Sequence, residues 1–123
     1  MEVMKTNLNE MAVEIHRANV KWWQNIDTGE PIKRNRGELL ALIHSEISEA
    51  LEGERKNLSD DKLPDYPMPV VEIVDAIIRE LDYLQGFWPH VNIDEVFAAK
   101  MAFNATRKDH THEARRIAGG KQF

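Results

Sequence analysis

The chain has 123 residues, 42% hydrophobic and 30% charged, a profile that suits one globular domain with a modest core and excludes whole-chain disorder. Its formal net charge of -5 argues against broad attraction to nucleic acid, and the absence of cysteine excludes disulfides, thiolate catalysis and zinc-thiolate sites. There is no basic start followed by a long apolar run, and no apolar run approaches the roughly 20 residues of a membrane helix, so the expectation is a cytoplasmic protein without a membrane partner.

From about Leu8 to Trp23 the residues Leu8, Met11, Ala12, Ile15, Ala18, Asn19 and Trp22 recur at helical spacing, with Asn7 as a cap, and predict an amphipathic first helix. His16 and Lys21 lie near its apolar side. Trp22 and Trp23 point in neighbouring directions, so one packs inward while the other is left for a partner or ligand. Thr28-Gly29 and Glu30-Pro31 supply turn chemistry, and Lys33, Arg34 and Arg36 form a local basic patch that suits phosphates or solvent.

A second helix is expected from near Arg36 to about Asn57, its apolar stripe formed by Leu39, Leu40, Ile43, Ile47, Ala50 and Leu51. Gly53 interrupts it at a cost of about 1 kcal/mol relative to alanine unless close packing needs the missing side chain. Glu46 and Glu49 lie along one edge of the stripe. His44 has no second histidine at matching spacing and reads as a surface or interface group. Ser59 to Pro69 is a connector, because Pro64, Pro67 and Pro69 remove backbone donors and restrict their predecessors. A flexible loop is expected near residues 58–69.

The third helix is predicted from about Val70 to Gln85 with Gly86 as terminator. Val70, Ile73, Val74, Ile77, Leu81 and Leu84 make its stripe, and Glu72, Asp75, Arg79 and Asp82 a polar ridge on another side. Phe87, Trp88 and Pro89 form an apolar turn. Asn92 or Asp94 starts a fourth helix that buries Val96, Phe97 and Met101, while Lys100, Asn104 and Arg107 share one polar face. His110 to Phe123 reads as a short helix followed by a tail near residues 117–123. The fold class that follows is all-α, a four-helix-bundle-like arrangement in a single domain.

Residues three apart share one side of a helix, so Glu46 with Glu49, and Glu72 with Asp75, can each aim two carboxylates into one space. If the two helices cross beside these pairs, four carboxylates meet and raise one another's pKa unless a cation neutralises them. Hard oxygen ligands without thiolate or paired histidine suit Mg2+ or Mn2+. Solvated helix faces have the same spacing.

The acidic pairs in this order, within LIHSEISEALEGERKNL and VEIVDAIIRELDYL, followed by KMAFNATRKDH, resemble the MazG-like all-α nucleoside triphosphate pyrophosphohydrolases from roughly Trp22 onward. The resemblance implies Mg2+-dependent cleavage between the α and β phosphates to a nucleoside monophosphate and pyrophosphate. It implies Glu46, Glu49, Glu72 and Asp75 as metal ligands, Glu46 or Glu49 as the catalytic group that activates water, and Lys100, Asn104 and Arg107 as triphosphate contacts. His16, Asn19 and Trp22 are implied around the base. Phe103 stands where tyrosine is frequent in the family, so a hydroxyl contact is absent there. The resemblance also implies a homodimer or homotetramer, and deoxynucleoside triphosphates are the preferred substrate class. Phosphoribosyl-ATP hydrolysis and a noncatalytic helical interaction protein are the alternatives; a di-iron bundle is disfavoured by the lack of Glu-x-x-His motifs.

Overall fold

Helix-forming runs separated by proline and glycine turns become five α-helices in the computed structural model, which describes residues 6–123: α1 (Leu8–Ala18), α2 (Arg36–Lys56), α3 (Met68–Phe87), α4 (Ile93–Ala105) and the short α5 (His112–Arg116). Single 3-10 turns lie at Val20–Trp23 and Lys108–His110. Among the described residues there is no strand, only two isolated bridges, Gln24 with Pro31 and Ser59 with Pro67. No helix among them is long and apolar enough to cross a membrane. The chain forms two compact units, one spanning Leu8–Val91 and another that includes Asn92–Phe123.

In the first unit α1, α2 and α3 pack together. The Asn35 side chain caps α2 by accepting from the Glu38 backbone N–H at 3.0 Å. Glu38 in the first turn, with Arg55 and Lys56 in the last, complements the helix dipole. The helix ends at Asn57, whose φ of 52° is left-handed, a conformation that asparagine tolerates better than most residues.

The helix predicted as one piece from Leu8 to Trp23 is instead α1 followed by the 3-10 turn. Trp23 then continues into a tight loop in which its carbonyl accepts from Ile32 N–H at 3.0 Å. The third helix starts at Met68, two residues before the expected start. Pro67 is its cap and Pro69 lies in its first turn, where a missing N–H breaks no intrahelical bond. At the other end α3 runs through Gly86 to Phe87, so Gly86 is not its terminator. It is a packing glycine: a Cβ built there would lie 2.3 Å from Cη2 of Trp23.

Gly53 has the close-packing reason that its position required. A Cβ there would lie 3.0 Å from Met68 Cβ and from Pro69 Cδ, so its absence lets the end of α2 meet the start of α3. At the opposite end the Arg36 guanidinium stacks 4.5 Å from the Phe87 ring. The two helices are therefore antiparallel. The connector between them is held by Met68 N–H to Leu58 O at 2.9 Å and by Asp60, whose carboxylate caps the N–H groups of Lys62 and Leu63 at 3.0 and 2.8 Å.

The apolar stripes expected of α2 and α3 are buried at Leu39, Ala50 and Leu81 but exposed at seven other positions. The buried positions of α2 are Leu39, Glu46, Ala50 and Gly53, while Leu40, Ile47 and Leu51 are exposed. On α3 the buried positions are Glu72, Ala76, Leu81 and Asp82, and Val70, Ile73, Val74 and Ile77 are exposed. The expected polar ridge of α3 faces inward and most of its apolar stripe faces outward. Glu46, expected at the edge of a stripe, lies in the middle of the buried line. The hydrophobic core is correspondingly thin, with Ala12, Leu39, Ala50, Ala76 and Leu81 as its buried apolar members in this unit.

In the second unit Asn92 caps α4, its side chain accepting from Glu95 N–H at 3.1 Å, which decides between the two expected starts. Val96, Phe97 and Met101, expected on the buried side of α4, are exposed. Thr111 caps α5 by accepting from Ala114 N–H at 3.1 Å.

Candidate metal centre

The antiparallel approach set by Gly53 brings the middle of α2 against the first half of α3. Glu46, Glu72 and Asp75 each present a carboxylate oxygen, and these three oxygens lie within 4.8 Å of one another. Glu46 and Glu72 are buried, with 7% and 8% of their surfaces exposed. Buried carboxylates at this spacing need a proton or a cation between them, since each is desolvated and repelled by its neighbours.

The molecule shows both needs. Glu72 is pushed up to about 8, chiefly by its hydrogen bond to Glu46, then by burial and by Glu49. Its Oε2 is buried without a hydrogen-bond partner. Asp75 is raised by burial and by the charge of Glu46. Burial also acts to raise Glu46, but the hydrogen bonds from Glu72 and Arg79 outweigh it and hold Glu46 below the usual carboxylate range. Arg79 Nε donates to Glu46 Oε1 at 2.9 Å. The donor set is oxygen only, and an orphaned, buried carboxylate oxygen on one of its three members fits a hard divalent cation. The buried acidic cluster can hold a divalent metal.

Two clefts adjoin it. One, of about 880 Å3, is acidic: Glu46, Glu49, Glu72 and Asp75 meet Asp60, Asp61 and Lys62 of the connector. Glu49 lines this cleft beside the three clustered carboxylates. The other, of about 400 Å3, is lined by Asn19, Trp22, Arg34, Arg79 and Asp82 together with Glu46 and Asp75. The two clefts share Glu46 and Asp75, so the carboxylate cluster stands between them.

The tryptophans divide the two tasks that their adjacent directions imply. Trp22 is 62% exposed and lines the smaller cleft. Trp23 packs edge-on to His16 and Phe87, at 5.0 Å between centroids in each case, and its indole N–H donates to Asp82 Oδ2 at 3.1 Å. His16 Nδ1 lies 2.7 Å from Asp82 Oδ1, and because a carboxylate only accepts, that nitrogen carries the hydrogen. His16 thus braces a carboxylate of the cleft wall, while Asn19 and Trp22 face the cleft itself.

Lys100, Asn104 and Arg107 belong to the second unit. Lys100 Nζ lies 5.2 Å from the Phe103 ring centroid, and Arg107 pairs with Asp109 through Nε and Nη2 at 3.1 and 2.8 Å. The carbonyl oxygen of the Asn104 side chain is buried without a hydrogen-bond partner.

Arg34 was expected only in a basic patch, Asp82 only in the polar ridge of α3 and Asp60 only in the connector; the structure brings Arg34 and Asp82 to the smaller cleft and Asp60 to the acidic one. Asp82 had a signal, since it follows Asp75 by seven residues and so shares its helix face. Arg34 and Asp60 come from loops and carry no periodicity. No family model matches the chain, and neither a curated protein nor a solved structure matches it significantly.

Proposed function

We propose that the chain is a Mg2+-dependent nucleoside triphosphate pyrophosphohydrolase, cleaving a deoxynucleoside triphosphate between its α and β phosphates to a nucleoside monophosphate and pyrophosphate. The observation that carries this reading is the partnerless, buried Oε2 of Glu72 within a cluster of three carboxylates that opens on two clefts. The MazG-like order of the acidic pairs supplies the reaction class.

Glu46, Glu72 and Asp75 would hold the ion. A bound divalent ion would neutralise phosphate charge and acidify a water molecule. Glu49, on the wall of the acidic cleft and beside Glu46 and Glu72, is suited to take the proton of the attacking water. Trp22 offers an exposed ring face and Asn19 an amide to a base, while Asp82, fixed by Trp23 and His16, keeps that wall in place. Lys100, Asn104 and Arg107 are donors for phosphate oxygens in this reading; the pair of Arg107 with Asp109, at 2.8 Å, is partly exposed and would open to release the guanidinium.

The exposed apolar residues of α2 and α3 support assembly of two or more copies. Leu40, Ile47 and Leu51 on one helix, with Val70, Ile73, Val74 and Ile77 on the other, form outward faces whose burial a thin core leaves to a second copy. The same faces favour, as a second reading, a helical interaction protein without activity. The two readings part on one experiment: pyrophosphate release from a panel of ribo- and deoxynucleoside triphosphates with and without Mg2+, with Glu49→Gln as control. Metal-dependent release that falls at least about 100-fold in the control is expected. Absence of release from folded protein on every nucleotide refutes the hydrolase reading.

A further inference from the structure

Arg79 is one turn beyond Asp75 on α3, and its guanidinium crosses to α2 to bond Glu46. Among the described residues it is the cation joined by an ion pair to the carboxylate cluster. The two ends of this pair differ in their surroundings. The Glu46 side chain is 10% exposed, whereas that of Arg79 is 40% exposed and borders the smaller cleft beside Arg34, Asn19 and Trp22. A buried anion is therefore neutralised by a cation that can leave it without crossing packed protein.

We propose that Arg79 is a place-holding cation: it occupies Glu46 in the metal-free protein, and a divalent ion binding to the cluster releases its guanidinium into the Trp22–Arg34 cleft, where it contacts an anionic group such as a phosphate. This rests on reading the cluster as a metal centre. A monovalent and a divalent cation on one carboxylate repel each other at short range, and the partly solvated one gives way. Released, the planar fork matches two phosphate oxygens, which an ammonium does not. The cleft then carries Arg34 and Arg79 on the wall next to the ion. The metal-free protein is spared an uncompensated buried charge, and the anion site is completed when the ion arrives.

The test compares Mg2+ binding by titration calorimetry at pH 8.5 in the wild-type protein, Arg79→Gln and Arg79→Lys, with folding checked by circular dichroism. A glutamine cannot compete for Glu46, so Arg79→Gln binds Mg2+ about tenfold tighter, whereas the lysine variant stays close to wild type. With saturating Mg2+, inorganic tripolyphosphate binds about tenfold more weakly to Arg79→Gln, because the released contact is missing. Mg2+ affinity that is unchanged or weaker in Arg79→Gln overturns the exchange, and unchanged tripolyphosphate affinity overturns the release into the cleft. Failure of the wild-type protein to bind Mg2+ at all refutes the metal centre itself and the exchange with it.

Discussion

Glu72 makes metal binding a proton-release reaction with a calculable pH dependence. Its carboxyl is pushed up to about 8 by the hydrogen bond to Glu46, by burial and by Glu49, so near neutral pH it carries the proton that a cation must expel. Below that value the apparent affinity for Mg2+ rises about tenfold per pH unit, and it levels off above it. Between pH 6 and pH 8 the gain is roughly 50-fold, with close to one proton released per ion at the lower end; from pH 8 to pH 9 it is only about twofold. Titration calorimetry in two buffers of different ionisation enthalpy measures affinity and proton count together. The folded value lies above the ordinary 4.5, so the stability this proton confers on the metal-free protein is complete below 4.5 and is lost as pH rises through about 8. Metal protection against thermal unfolding accordingly grows over the same interval. Glu72→Gln removes the slope, since an amide has no proton to give up here. A flat Mg2+ affinity from pH 6 to pH 8, with no proton released, refutes the account of Glu72 as a protonated place in a metal site.

Two further predictions concern packing. Gly86→Ala drives a methyl group into the Trp23 ring, 2.3 Å from Cη2, and costs about 1–3 kcal/mol of stability, read by denaturant unfolding; a neutral result excludes the close approach of α3 to this ring. Ile73→Lys with Ile77→Lys places two charges on the exposed apolar face of α3, so an assembly held by that face falls to the monomer mass in light scattering, whereas an unchanged mass assigns assembly to another surface.

The carboxylate spacing was legible because it is a property of the helix alone. Glu72 and Asp75 share a face at any site where those residues are helical, and so do Glu46 and Glu49. Helix boundaries followed local chemistry where that chemistry is strong, as at Asn35 and Asn92, whose side chains cap the expected helices. They failed where one residue serves two purposes. Gly86 carries a terminator's signal, yet α3 continues through it because the missing side chain makes room for Trp23. Pro69 carries a breaker's signal, yet it stands in the first turn, where a proline is harmless.

Sequence alone determined the all-α class, the order of the helices and the two acidic pairs, because periodicity, capping and proline positions act within a few residues of one another. Only the tertiary structure decided which side of each helix faces in. Hydrophobic patterning assigned Val70, Ile73, Val74 and Ile77 to the core and Glu72, Asp75, Arg79 and Asp82 to a separate ridge, but α3 buries Glu72 and Asp82 and exposes those four apolar residues. The reason is energetic. Apolar side chains gain from any surface that removes water, including a second chain, whereas a buried carboxylate is tolerable only among the specific partners that neutralise it. Glu46 has Arg79 and the Glu72 proton, and Asp82 has His16 and Trp23. The contacts that His16, Trp23 and Glu46 make to α3 span 33 to 66 residues of chain, beyond the reach of any local pattern, and it is their convergence that turns two common helical motifs into a candidate site.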